Sequence, residues 1–348
     1  MNFDFTDDQQ AIKRTARDFL AARYKLEEVR RLALEEEHGF TGAQWTEIAE
    51  LGWPGLAIAE EHGGLGLGIV ELVVLQEELG YALAPTPFLS TVAAGLLLQT
   101  AGSEEQRAER LPALAAGEAR ATVANLGAEP EPIGSSLTGT KLAVPDAASA
   151  DWAVVTATEG RHFLVDLHRE GVRIEPEDPL DPTRKLYALH LEEAESHQLP
   201  GDAAGAYAGI HAAIAAESVG VAQRAMEMAV AYASDRKQFD RPIGAYQAVS
   251  HRCAQMLLEV EGARSLSYYA AWACDHEPET AALAASMAKS YASDAGWRVT
   301  ASAVQVHGGI GFTWEHDLHF FLKRAKANAH LFGDARSHRA RVADLAGM

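Results

Sequence analysis

Two short segments concentrate groups that could hold a phosphorylated ligand. The first is Asp235-Arg236-Lys237-Gln238-Phe239-Asp240-Arg241-Pro242-Ile243-Gly244, which sets three cations and an aromatic ring in a turn between two long helical patterns. The chain carries 30 Lys+Arg against 49 Asp+Glu, a net charge of −19. Local positive charge against that trend suits an anion such as a pyrophosphate. The ordinary reading of the same segment is a charged helix–helix loop. The second segment, Gln305-Val306-His307-Gly308-Gly309-Ile310-Gly311-Phe312, places three glycines in four residues. Such a run lets backbone approach a ligand closely, or simply caps a helix.

Other candidate motifs read better as structure. Gly63-Gly64-Leu65-Gly66-Leu67-Gly68 lacks the strand-before, helix-after context of a dinucleotide fold and the Lys-Ser/Thr ending of a P-loop, so a tight connection is expected. Glu35 with His38 has di-metal spacing but no second copy, and His316 with His319 has no third ligand in view, so no metal site is expected. Cys253 and Cys274 make no CxxC and read as packing residues.

The net negative charge argues against a general nucleic-acid binder, which needs excess cations for phosphate contacts. No apolar run reaches the length of a membrane span, and the acidic start MNFDFTDDQQ is unlike a secretory signal. A soluble cytoplasmic protein is expected.

The elements that would position these groups fall into three stretches. Residues 1–117 read as helices: Thr6 and Gln9 have capping-box spacing, and Ile12, Ala16, Phe19, Leu20 and Tyr24 recur at helical intervals. A second run, from about Thr41 to Leu51, stops at Gly52-Trp53-Pro54, and Ile69 begins another. Residues 118–200 hold seven of the 13 prolines and short β-like runs at 121–125, 137–144, 152–158 and 162–167, the pattern of a small antiparallel unit. Residues 201–348 return to alanine-rich periodicity, with helices expected over 205–235, 244–275, 279–306 and about 314–331, lengths that suit a four-helix bundle. The fold class is therefore α+β, mostly α: an N-terminal helical domain, a small middle β-domain and a C-terminal four-helix bundle.

Taken in order, the two ligand-type segments resemble the acyl-CoA dehydrogenase family. Leu51-Gly52-Trp53-Pro54-Gly55-Leu56 and Glu60-Glu61-His62-Gly63-Gly64-Leu65-Gly66 upstream add to the likeness, which spans nearly the whole chain. The resemblance implies the same α, β, α order, assembly as a dimer of dimers, and FAD bound across a subunit interface. It implies that Arg236 with Phe239, and Gln305 with Gly308 and Gly309, meet the ADP half of a neighbour's FAD. It also places Tyr246 and Gln247 where the family often makes further adenine or phosphate contacts.

The family's chemistry pattern is broken. Members usually carry the α-proton-abstracting glutamate in a Tyr-Glu-Gly near the C-terminus, and here that register reads Leu331-Phe332-Gly333. The alternative position, at the start of the first bundle helix, reads Ile210-His211. Asp334 and Glu217 lie nearby but out of register. The flavin-wall Trp-x-Thr is replaced by Ala143-Val144-Pro145, and the acidic-Pro-Gly-x-Gly-Ser-Asp segment by Asn125-Leu126-Gly127-Ala128-Glu129-Pro130-Glu131-Pro132. No catalytic residue is therefore expected in this chain. The combination resembles the short, non-catalytic subunit of a heteromeric acyl-CoA dehydrogenase of the steroid-degradation type. It implies a heterotetramer with a catalytic paralogue, an acyl-CoA substrate, steroid-derived by the same analogy, and electron-transfer flavoprotein as acceptor. The alternatives are a self-sufficient homomer with a displaced base such as Asp334, or a non-enzymatic scaffold of the same fold.

Overall fold

The computed structural model describes residues 5–348. The helical elements before the strands are α1 (Asp7–Arg23), α2 (Leu26–Glu35), α3 (Gly42–Glu50), α4 (Ile69–Ala82), α5 (Phe88–Ala101) and α6 (Glu104–Ala115). Then come β1 (Ala121–Ala124), β2 (Glu131–Ile133), β3 (Ser136–Pro145), β4 (Trp152–Thr156), β5 (His162–Asp166), β6 (Val172–Pro176), β7 (Leu186–Glu195) and β8 (His197–Gln198). The rest is α7 (Ala204–Asp235), the short β9 (Lys237–Gln238) and β10 (Arg241–Pro242), then α8 (Gln247–His276), α9 (Pro278–His307), α10 (Leu318–His330) and α11 (Ala335–Leu345). The mostly helical α+β class expected from the sequence is the one observed.

Caps explain where several helices start. Thr6 Oγ1 accepts from the Gln9 amide (3.2 Å) while Gln9 Oε1 accepts from the Thr6 amide (3.0 Å). Thr41 with Gln44 repeats the exchange at α3. Each box satisfies two amide donors that a helix start leaves open.

The chain forms two compact units. One comprises the chain through Arg30, Ile69–Ala84 and His211–Met348. Within it α8, α10 and α11 pack on α9, whose buried face is Ala284, Ala285, Ala288, Ala292, Ala295, Val299 and Ala303. Small residues there let long helices approach closely. The bundle gains one helix beyond the four expected: α11, whose charged sequence ARSHRARVADL shows little apolar face. Helices α4 and α7 meet backbone to backbone. A Cβ on Gly80 would lie 2.2 Å from the Glu217 carbonyl oxygen, and one on Gly220 would lie 2.0 Å from that of Glu77.

The other unit comprises residues 31–68 and 85–210. It contains two four-stranded sheets, β1-β4-β5-β8 and β2-β3-β7-β6. Inward residues of both, among them Leu137, Val144, Val155, Phe163, Leu189 and Leu191, form one core. The β-unit expected to be antiparallel contains one parallel pair, since β1 runs alongside β4 in register Ala121↔Trp152 to Ala124↔Val155. The glycine-rich loop at 63–68 folds back on 55–59. The amides of Leu65, Gly66 and Leu67 donate to the carbonyls of Gly55, Ile58 and Leu56. A Cβ on Gly64 would sit 2.1 Å from the Ile58 oxygen. That loop is a tight connection.

Candidate functional site

The Arg236 segment leaves the last turn of α7 and forms a tight hairpin. Lys237 pairs with Pro242 and Gln238 with Arg241. The two tip residues, Phe239 and Asp240, both have left-handed φ (52° and 64°), as a two-residue turn of the I′ kind requires. Phe239 thus holds a conformation that costs a bulky residue energy, and its ring is 88% exposed. The hairpin is braced from behind: Tyr246 Oη donates to the Gln238 carbonyl (3.1 Å), and the Arg241 guanidinium stands 3.9 Å over the Tyr246 ring. The Arg236 carbonyl accepts from the Ile243 amide (2.8 Å). Its side chain is exposed and makes no ion pair or hydrogen bond among the described residues. Gln247, the first residue of α8, is exposed as well.

The second segment ends α9. Gln305 and Gly309 are exposed, whereas His307 is buried between them. Gly308 has φ 64° and ψ −139°, a backbone region that only glycine enters cheaply. An added Cβ at Gly308 or Gly309 would meet nothing within 4 Å, so a ligand has open access to this backbone. The two segments meet through their neighbours. Tyr232, one turn before Arg236, stacks on His307 with centroids 4.6 Å apart and planes 21° apart. Exposed cation, exposed amide and bare glycine backbone together can hold a nucleotide's phosphates.

The two positions expected from the resemblance to hold a base, 332 and 210, carry no carboxylate. Phe332 is buried with φ 56°, and Gly333 follows at φ 102°. The Phe332 carbonyl accepts from His338 Nε2 (3.1 Å), and the Gly333 carbonyl accepts from Lys289 Nζ (2.9 Å). Lys289 also donates to Ser293 Oγ (3.1 Å). Burial pulls Lys289 down to about 7 and His338 to about 4. His211, edge-to-face on His338 at 4.5 Å, is pushed well below the usual histidine range, chiefly by burial. Basic side chains from α7, α9 and α11 therefore surround the Phe332–Gly333 turn. Ile210 is itself fully buried. Of the out-of-register carboxylates, Glu217 is held by Arg324 (2.7 Å) with both side chains buried. Asp334 caps α11 by accepting from the Ser337 amide (2.8 Å), a bond that lowers its pKa.

Sequence reasoning missed the Lys289 and His338 contacts with this turn. It also missed a cavity of about 330 Å³ in the β-containing unit, lined by Arg161, His162, Asp202 and Tyr207 among others. There His162 Nε2 and Tyr207 Oη lie 2.8 Å apart. Among the described residues no three His, Cys, Asp or Glu side chains converge as a metal site.

The acyl-CoA dehydrogenase N-terminal domain model matches residues 6–118 and the C-terminal domain model residues 211–346. Acyl-CoA dehydrogenase IpdE2 of Mycobacterium tuberculosis is 34% identical over 331 residues, 95% of this chain and 94% of that protein. The chain belongs to the acyl-CoA dehydrogenase family. Among solved structures of acyl-CoA dehydrogenases, a chain of the Tcur3481-Tcur3483 steroid ACAD G363A variant is 30% identical, with a TM-score of 0.90 and 98% of each chain covered. A chain of the ChsE4-ChsE5 complex from Mycobacterium tuberculosis is 29% identical, with a TM-score of 0.91, covering 100% of this chain and 99% of that one. The family resemblance drawn from the paired Arg236 and Gln305 segments is borne out across nearly the whole chain.

Proposed function

We propose that this chain is the base-less subunit of a heteromeric, FAD-dependent acyl-CoA dehydrogenase, completing the nucleotide half of a catalytic partner's cofactor site. One observation carries the reading: Arg236 and the Gln305–Gly309 segment are held together and open to solvent, while both carboxylate registers are filled by buried apolar side chains. The two halves of FAD fare differently here. The ADP half fits, because Arg236 and Gln305 offer free polar ends beside glycine backbone where a Cβ would find empty space. The ring half does not fit. Ala143, in place of the aromatic wall, offers only a methyl group, and Pro145, in place of the hydroxyl, is buried in β3 and paired with Leu186 of β7.

Bound in the complex, FAD would supply the acceptor for the hydride of the acyl β-carbon. This chain's part is to hold the pyrophosphate by Arg236, contact the adenosine end with Gln305 and the Gly308–Gly309 backbone, and extend Phe239 into the partner. Tyr246 braces the hairpin. The α-proton would go to a glutamate of the partner. The two-subunit names of the similar structures, one of them a steroid enzyme, support a heterotetramer and a steroid-derived acyl-CoA. Electron-transfer flavoprotein would then reoxidise the flavin. A self-sufficient homomer is disfavoured because Glu217 and Asp334 are already committed to Arg324 and to the α11 cap.

The test is to co-express the chain with a base-carrying paralogue from the same genome and assay desaturation. Glu→Gln at the partner's base should cost turnover ~10²–10⁴-fold with FAD still bound. Retention of most of the turnover would contradict the assignment of roles.

A further inference from the structure

The ring of His307 is buried, with 5% of the residue exposed, between two segments that the proposed function uses. Its Nδ1–H donates to the Ala303 carbonyl one turn back (2.8 Å), which fixes the tautomer and aims the ring. One face stacks on Tyr232, and His316 meets it edge-on at 4.6 Å and 63°. His316 is fixed in turn, because its Nδ1 accepts from the Leu318 amide (3.1 Å) at the start of α10. Three rings thus tie three chain segments together: the last turns of α7, the end of α9, and the entry to α10. A Cβ on Gly311 would stand only 2.9 Å from the Cβ of His307. The 308–312 turn therefore rests directly on this side chain.

We propose that His307 is a positioning residue for cofactor binding: the Tyr232–His307–His316 stack sets the distance and angle between Arg236 and the Gly308–Gly309 backbone, and so determines how tightly a dinucleotide's ADP half is held. The inference rests on the FAD reading above. It assigns the histidine no contact with the cofactor. Its ring works through Gly308, whose unusual backbone conformation begins one bond away, and through Tyr232, which places Arg236 one helical turn on. A flexible or shorter side chain at 307 would leave both ligand groups present but free to move apart. Misplacement on the scale of an ångström is costly for preorganised sites.

The experiment uses the complex with its catalytic partner and reads bound FAD and its release rate, not turnover. His307→Leu keeps bulk but loses the planar stack, and should speed FAD release about 10-fold. His307→Phe keeps the stack and loses only the bond to Ala303, and should stay within about 3-fold of wild type. Tyr232→Leu, on the more exposed side of the stack, should match His307→Leu. The double variant should be no worse than either alone, the signature of residues acting as one unit. Arg236→Ala is the control that separates two failures. If Arg236→Ala releases FAD but His307→Leu and Tyr232→Leu do not, the stack has no positioning role. If Arg236→Ala leaves FAD retention unchanged, the cofactor reading itself fails. Equal effects of Phe and Leu at 307 would also overturn the proposal, since a merely space-filling role makes no distinction between a ring and a branched chain.

Discussion

Glu217 of α7 and Arg324 of α10 form an ion pair at 2.7 Å, with side chains only 3% and 2% exposed. A carboxylate in that position is a structural counter-charge, because it is buried against the guanidinium it binds. Removing its charge takes this buried counter-charge away from Arg324, which for such pairs costs ~3–5 kcal/mol. Glu217→Gln should therefore lower stability by about that amount in denaturant unfolding. In the folded complex the same variant should leave turnover within about 2–3-fold, as measured by steady-state desaturation, against the ~10²–10⁴-fold loss expected for a general base.

Asp334 makes the complementary case at an exposed helix start. Asparagine caps helices about as well as aspartate. Asp334→Asn should therefore change stability by less than about 1 kcal/mol and leave turnover unchanged within about 2–3-fold. A drop of ~10²-fold or more, with FAD still bound, would revive a displaced base.

Lys289 predicts a pH dependence of stability above neutrality. Burial holds its folded pKa at about 7, below the ordinary lysine value of 10.5, so the unfolded chain binds more protons between those values. Stability from this group therefore rises with pH from about 7 to about 10.5, by ~1.4 kcal/mol per pH unit where the difference is a full proton. Lys289→Met should flatten that rise in a series of unfolding curves from pH 7 to 9. His338, pulled to about 4, adds a loss of stability as pH falls from the usual histidine range toward 4.

Two helical glycines should respond oppositely to alanine. At Gly220 the new methyl would strike the Glu77 carbonyl at 2.0 Å, so Gly220→Ala should cost at least the ~1–3 kcal/mol of an overpacked core. At Gly296 in α9 the nearest atoms lie at 3.8 Å, ordinary contact. Gly296→Ala should stabilise by about 0.5–1 kcal/mol, read from the denaturation midpoint.

Much of this was legible in the chain, for identifiable reasons. The Thr6/Gln9 and Thr41/Gln44 spacings announced two helix starts because a capping box is a local exchange of hydrogen bonds. The long bundle helices could be read because alanine-rich periodicity persists over 30 residues, and α7, α8 and α9 end within about three residues of expectation. Strand β7 escaped, since Leu186–Glu195 is rich in Ala, Leu and Glu and looks helical until paired with β3. The parallel β1–β4 pairing was hidden because register across 27 intervening residues, β2 and β3 among them, leaves no local trace. At the site, Arg236 and Gln305 were visible as charge and glycine signals. The Tyr232–His307 stack was not, as the partners lie 75 positions apart. Lys289 in an alanine-rich helix reads as a solvated face. Only the fold shows it buried and donating to Gly333.

The most direct test is the flavin content of the chain purified alone against that of the chain co-purified with a base-carrying partner, read from the visible absorbance of released FAD. The account predicts a nearly colourless lone chain and a yellow complex, with Arg236→Ala lowering FAD retention in the complex by about 10-fold or more, the loss of one charge-assisted phosphate contact of ~1.5–3 kcal/mol. Stoichiometric FAD on the lone chain, or an Arg236→Ala complex that keeps its flavin as firmly as wild type, would contradict it.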